Sequence, residues 1–240
     1  MYRKTEGLVW IAVAVLVLMG AVSSFAEVGV TDQEIVVGQV AALSGMAQQL
    51  GLRMKTGLEA YFKGINEKGG VNGRQIRLIS RNDTYEPLVC VVETKFLLKD
   101  DVFSLIGFVG TPTTKAIMPL LDEAKIPLIG PFTGAEILRN PVNRHIINIR
   151  ASYYDETEGL AEHLVSDLGL KKIACFYQSD AYGQAGLDGI TRALKRRGLE
   201  LVTTGTYERN TLEVRPALEQ IKKAEPEAIV MIGAYAPCAE

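Results

Sequence analysis

The chain has 240 residues, with 26 basic and 28 acidic side chains and a formal net charge of −2. That even balance excludes a basic nucleic-acid surface and an acidic partner-binding tail. Three cysteines, Cys90, Cys175 and Cys238, make no disulfide scaffold; the first two sit in apolar runs and read as buried free thiols.

The chain opens on Arg3 and Lys4, then the apolar run Leu8 to Val22, then small residues at Ser24 and Ala26. This order predicts a secretory leader (1–26) cleaved after Ala26, hence an exported, periplasmic protein. The competing reading is an uncleaved anchor, although the run is short of the roughly 20 apolar residues that span a bilayer.

Downstream, Glu34 to Ala42 is β-branched and predicts a buried strand. Met54, Leu58, Phe62 and Ile65 place an apolar stripe on a helix from Gln48 to Lys68, stopped at Gly69-Gly70. A half-buried strand follows at Gln75 to Ser80, and then a helix from Glu86 to Lys99 with Pro87 near its start. The strand Phe103 to Val109, the helix Thr113 to Ala124 and the strand Ile126 to Pro131 come next, then a strand at His145 to Ile149.

From Arg150 the pattern restarts. Helix Asp155 to Leu168, strand Lys172 to Tyr177, helix Gly183 to Arg197, strand Leu201 to Tyr207, helix Leu212 to Ala224 and strand Ala228 to Gly233 are expected in turn. Alternating β and α with short joins predicts an α/β fold: mostly parallel sheets with helices on both faces. Two such halves are expected, 27–150 and 151–240. With three strands and a final turn at Ala234 to Cys238 bearing no helix, the second is expected to be incomplete.

Catalytic signatures are missing. His145 and His163 are not in metal-ligand spacing, there is no GxSxG or phosphate-binding P-loop, and Tyr182 to Gly189 lacks the dinucleotide glycine pattern. No enzyme, cofactor or metal is therefore expected. The acidic group Asp155-Glu156-Glu158 reads as solvated residues near a helix amino end.

The strand ends are richer. Ser44-Gly45, Thr111 to Thr114, Thr133-Gly134, Tyr182-Gly183 and Tyr235 supply hydroxyl, glycine and aromatic groups where open parallel sheets bind ligands. Helix-start amides and hydroxyls suit a carboxylate, and Tyr154, Tyr182 and Tyr235 can wall an amphiphile. Helix capping is the plainer role for Thr113 and Thr114. Thr111 and Thr133, expected ahead of the caps, are the candidate contacts.

These stretches, EIVVGQVAALSG, INEKGGVNGRQIRLISRND, GFVGTPTT, IPLIGPFTGAEILR, YYDETEG, FYQSDAYGQAGLDG and IVMIGAY, span nearly all of 30–238. With them the chain resembles the periplasmic substrate-binding proteins of ABC transporters, in the branched-chain amino-acid (leucine/isoleucine/valine) family. The resemblance implies a two-lobed clamshell, without a cofactor, that closes on a small amino acid or related carboxylate and delivers it to a membrane permease as a monomer. A sensory domain of the same fold is the alternative.

By motif, the resemblance places a carboxylate contact at Thr111 and next-loop contacts at Phe132, Thr133 and Gly134. It puts aromatic second-lobe contacts at Tyr182 and Tyr235, a side-chain wall at Leu50, and hinge-adjacent positions at Tyr154 and Asp155. It also implies an acidic ammonium contact beyond residue 240.

Overall fold

A computed structural model describes residues 27–240. The expected leader lies outside the described residues. Among the described residues eight strands and seven α-helices follow one another, alternating except at β4 and β5. The first half runs β1 (Glu34–Ala41), α1 (Gln48–Asn66), β2 (Gln75–Asn82), α2 (Pro87–Lys99), β3 (Ser104–Ile106), α3 (Thr111–Ala124), β4 (Leu128–Ile129) and β5 (Ile146–Ile147). The second runs α4 (Tyr153–Ala161), β6 (Ile173–Gln178), α5 (Ala181–Lys195), β7 (Thr203–Tyr207), α6 (Arg215–Lys223), β8 (Ala228–Ile232) and α7 (Tyr235–Ala239).

Two parallel sheets result, in the order β2-β1-β3-β4-β5 and β7-β6-β8. In β1 every residue from Val36 to Ala41 is buried, so the strand is covered on both faces, as an interior parallel strand must be. Val36 and Val40 join Leu97 of α2 and Ile117 and Leu121 of α3 in the main core. On α1, Met54 and Leu58 reach the backbone of Gly107, just past β3.

β6 divides its side chains in the same way. Ile173 and Cys175 pack with Ile190 and Leu194 of α5, while Ala174 and Phe176 pack with Ala217 and Ile221 of α6. β8 is different: Val230 and Ile232 enter the α5 side, but Ile229 and Met231 remain 44% and 56% exposed.

Several boundaries differ from the expected ones, each for a local reason. α3 begins at Thr111, because Gly110 takes φ 104° and serves as its N-cap. α4 starts at Tyr153, where Ser152 and Asp155 form a reciprocal capping box, and it widens to a π-helix over Glu162–Asp167 before Leu168. α5 begins at Ala181 on the cap Asp180, and α6 at Arg215 with Pro216 in its first turn. After Ala234 the chain does turn helical, as the short α7. Strands β3, β4 and β5 are shorter than their apolar runs, since only two or three residues of each pair in the sheet. Among the described residues no helix is long and apolar enough to cross a membrane.

Candidate functional site

The strand ends of the first half are stitched into one surface. Val109 and Phe132 form a parallel bridge, with Phe132 N donating to Phe108 O at 2.7 Å and Gly110 N donating to Phe132 O at 3.3 Å. Gly110 is needed here: its φ of 104° disfavours any side chain, and a Cβ would run into the ring of Tyr85. The absent side chain lets Tyr85 lie directly on the backbone. Tyr85 is itself held at φ 64°, its amide donating to Asp83 Oδ1 at 2.8 Å.

The second half supplies the opposing wall from helix starts. Tyr182 lies in the first turn of α5, and its amide donates to Asp180 Oδ1 at 2.8 Å. Its ring meets that of Tyr153, at the start of α4, with centroids 5.5 Å apart. Gly233 and Ala234 follow β8, and Ala234 N donates at 2.8 Å to the Tyr207 hydroxyl, which donates to Gln178 Oε1 at 3.0 Å. Tyr235 crosses between the halves, its hydroxyl donating to Met46 O at 2.6 Å.

Between these walls is a cavity of about 290 Å³, lined by Leu50, Tyr85, Val109, Gly110, Phe132, Arg150, Tyr153, Tyr182, Gly233, Ala234 and Tyr235. Arg150 carries the one formal charge of that lining. Its guanidinium lies 5.3 Å from the Phe132 ring centroid and 5.5 Å from that of Tyr153, and it pairs with Glu156. Burial raises the phenol pKa of Tyr85 and of Tyr182 above the ordinary value, so both remain neutral hydrogen-bonding groups. A mostly apolar chamber with one cation at its edge suits an amphiphile with an anionic head.

Of the expected site residues, Leu50, Phe132, Tyr182 and Tyr235 come together on this cavity. Thr111 and Thr133 do not line it. They are buried behind the wall with their hydroxyls 2.6 Å apart, and Thr133 Oγ1 also accepts from Ala135 N at 3.2 Å. Gly134 carries the Tyr153 amide on its carbonyl at 2.7 Å and does not line the cavity either. Tyr154 points to Arg192, whose guanidinium is 4.8 Å from its ring centroid. Asp155 caps α4: its amide donates to Ser152 Oγ at 3.1 Å, and the Ser152 hydroxyl and amide hydrogen-bond back to its carboxylate and lower its pKa.

Sequence reasoning missed Tyr85, Arg150 and Tyr153. A signal existed for Tyr153: the Ser152-x-x-Asp155 capping box fixes the helix start and so decides which tyrosine of the pair faces inward. Thr113 does not cap with its side chain; its hydroxyl donates to Val109 O at 2.6 Å. No group of three His, Cys, Asp or Glu side chains suited to a metal occurs among the described residues.

A family model described as periplasmic binding protein matches residues 34–240. The Leu/Ile/Val-binding protein homolog 3 of Brucella melitensis is 23% identical over 224 residues, 92% of this chain and 60% of that protein. The crystal structure of a possible leucine/isoleucine/valine-binding protein from Rhodopirellula baltica superposes with a TM-score of 0.82 at 33% identity, covering 90% of this chain and 59% of that one. A substrate-binding periplasmic protein from Ralstonia solanacearum gives 0.82 at 33% identity, over 86% and 58%. The chain thus spans about 60% of the length of its curated relative.

Proposed function

The chain belongs to the periplasmic binding protein family, and on that premise we propose that it is the solute-binding component of an ABC importer. It takes a small amino acid or related carboxylate between lobes 27–150 and 151–240 and hands it, as a periplasmic monomer, to a membrane permease. The observation that carries this reading is the cavity between the two halves, apolar and aromatic apart from Arg150. Arg150 receives the ligand carboxylate, while Leu50, Tyr85, Phe132, Tyr153, Tyr182 and Tyr235 enclose its apolar body. Thr111 and Thr133 support the wall from behind. The names of the Brucella melitensis and Rhodopirellula baltica proteins favour a branched aliphatic side chain.

A thermal-shift screen of aliphatic and aromatic amino acids and their deaminated acids tests this. A true ligand at a hundredfold excess over its Kd stabilises the fold by about 2.7 kcal/mol. No shift across the panel would remove the reading. Arg150→Gln is expected to weaken the hit by about ten- to a hundredfold, the scale of one charge-assisted hydrogen bond. Unchanged affinity would remove Arg150 from the site.

A further inference from the structure

We propose that Arg209 is a positioning residue for this cavity: held in the second half by Asp180, which caps the helix bearing Tyr182, it reaches across to clasp Glu86, next in the chain to Tyr85, and so couples closure of the halves to the cavity walls. The proposal rests on reading the cavity as a solute site.

Arg209 lies just past β7. Its Nη2 donates to Glu86 Oε2 of the first half at 2.8 Å, and its Nη1 donates to Asp180 Oδ2 of the second at 3.2 Å. Asn210 adds a second strap, donating from Nδ2 to Glu86 Oε1 at 2.7 Å and to Thr84 O at 3.2 Å. Both anchors adjoin the cavity. Glu86 is the N-cap residue of α2 and follows the cavity residue Tyr85; Asp180 caps α5 and holds the amide of the cavity residue Tyr182. Asp180 also accepts from Gln178 Nε2 at 2.6 Å, and Gln178 continues through Tyr207 to the amide of Ala234. One network therefore reaches three cavity positions, and Arg209 and its neighbour Asn210 carry it across to the first half.

The clasp is shielded on one side. The Arg209 and Asp180 side chains are 22% and 10% exposed, where solvent screens a charge pair less. Glu86, which takes the bond across the halves, is 42% exposed and is held as well by Asn210. A planar guanidinium can reach two carboxylates at once from fixed directions, whereas an ammonium on a flexible stem is a single point charge. On both sides the backbone is left-handed without glycine: φ is 51° at Thr84, 64° at Tyr85 and 60° at Asn210. Such residues stay there only when their surroundings hold them.

Releasing the clasp lowers the fraction of molecules with both walls in place, and apparent affinity falls in proportion to that fraction. Spin labels at Tyr61→Cys on α1 and Leu218→Cys on α6, both exposed positions, report the separation of the halves. They are placed in a Cys238→Ser background, Cys90 and Cys175 being buried. Without added ligand, Arg209→Ala lengthens and broadens the label distance, and Arg209→Lys restores it only in part. Calorimetric titration with L-leucine and with phenylacetate shows affinity reduced about fivefold or more for whichever binds.

An unchanged distance distribution in Arg209→Ala overturns the clasp, even if its melting temperature falls. If neither compound binds the parent chain, the solute reading fails for those two ligand types while the distance measurement still decides the clasp. Should Arg209→Ala fail to fold, Glu86→Gln and Asn210→Ala are read by the same distance: lengthening supports the clasp and no change overturns it.

Discussion

The two halves begin with the same winding and finish differently. β2-β1-β3 in the first sheet and β7-β6-β8 in the second each put the earliest strand in the middle with the next two beside it. Each half also presses the following helix onto its central strand through a glycine: a Cβ on Gly51 would strike Ala42 O, and one on Gly183 would strike Gln178 O. Cover is where they part. The first half gathers most of its buried residues into one large cluster beside a small one of Ala42, Ala47 and Tyr85, whereas the second splits them between the two sides of β6 and leaves Ile229 and Met231 of β8 in the open. Repeated topology sets the placement of a ligand wall, but the stability behind that wall depends on how fully each sheet is dressed.

The largest test of that difference is a pair of core truncations. Leu121→Ala, fully buried on α3, should cost about 2–5 kcal/mol in chemical denaturation, the range for removing a large aliphatic side chain from a packed core. Met231→Ala, on the bare face of β8, should stay within about 0.5 kcal/mol. Equal costs would erase the contrast.

A second test compares two carboxylates at strand ends. Asp180 has hydrogen-bond partners on both oxygens, whereas the fully buried Asp83 leaves Oδ2 without one. Burial raises the Asp83 pKa from 3.8 to about 6. The folded chain therefore keeps this proton after the unfolded chain has lost it. Stability falls as pH rises from 3.8 to about 6 and levels off above, a loss of about 3 kcal/mol over the window. Asp83→Asn should flatten that slope in denaturation curves collected across the window; a slope that persists would assign it to another group.

The smallest effect concerns the Thr111–Thr133 pair. Thr133→Val strands the buried Thr111 hydroxyl and the Ala135 amide and should cost about 1–3 kcal/mol; Thr111→Val, which leaves Thr133 its bond from Ala135, should cost less, and the double change costs less than the two singles combined. Melting temperatures of the four proteins give the coupling. Strict additivity would mean that the two hydroxyls do not depend on each other.

Much of the fold was legible because periodicity speaks directly about burial. Met54, Leu58, Phe62 and Ile65 announce α1, and the β-branched run at Glu34 to Ala42 announces β1. Strand length was less legible, since the run Ile126 to Pro131 pairs over only Leu128–Ile129. For the cavity the sequence was less direct. Tyr182 and Tyr235 were marked by strand ends, and Leu50 and Phe132 by the family resemblance, and all four line the cavity; the facing of a side chain depends on turns that residue type does not reveal. Thr111 and Thr133 satisfy one another inside the wall, and Tyr85 arrives from a left-handed turn after β2. Arg150 is drawn in by the two rings beneath it, a contact between residues 18 positions apart at Phe132 and three apart at Tyr153.

The aromatic lining has an optical consequence. The chain's single tryptophan, Trp10, precedes the described residues, and of its nine tyrosines four, Tyr85, Tyr153, Tyr182 and Tyr235, line one cavity. Residues 27–240 hold eight tyrosines and no tryptophan, and half of those tyrosines sit where a solute would dock. For that stretch, occupancy is readable as a change in tyrosine emission without a dye, and an indole signal reports molecules that retain Trp10.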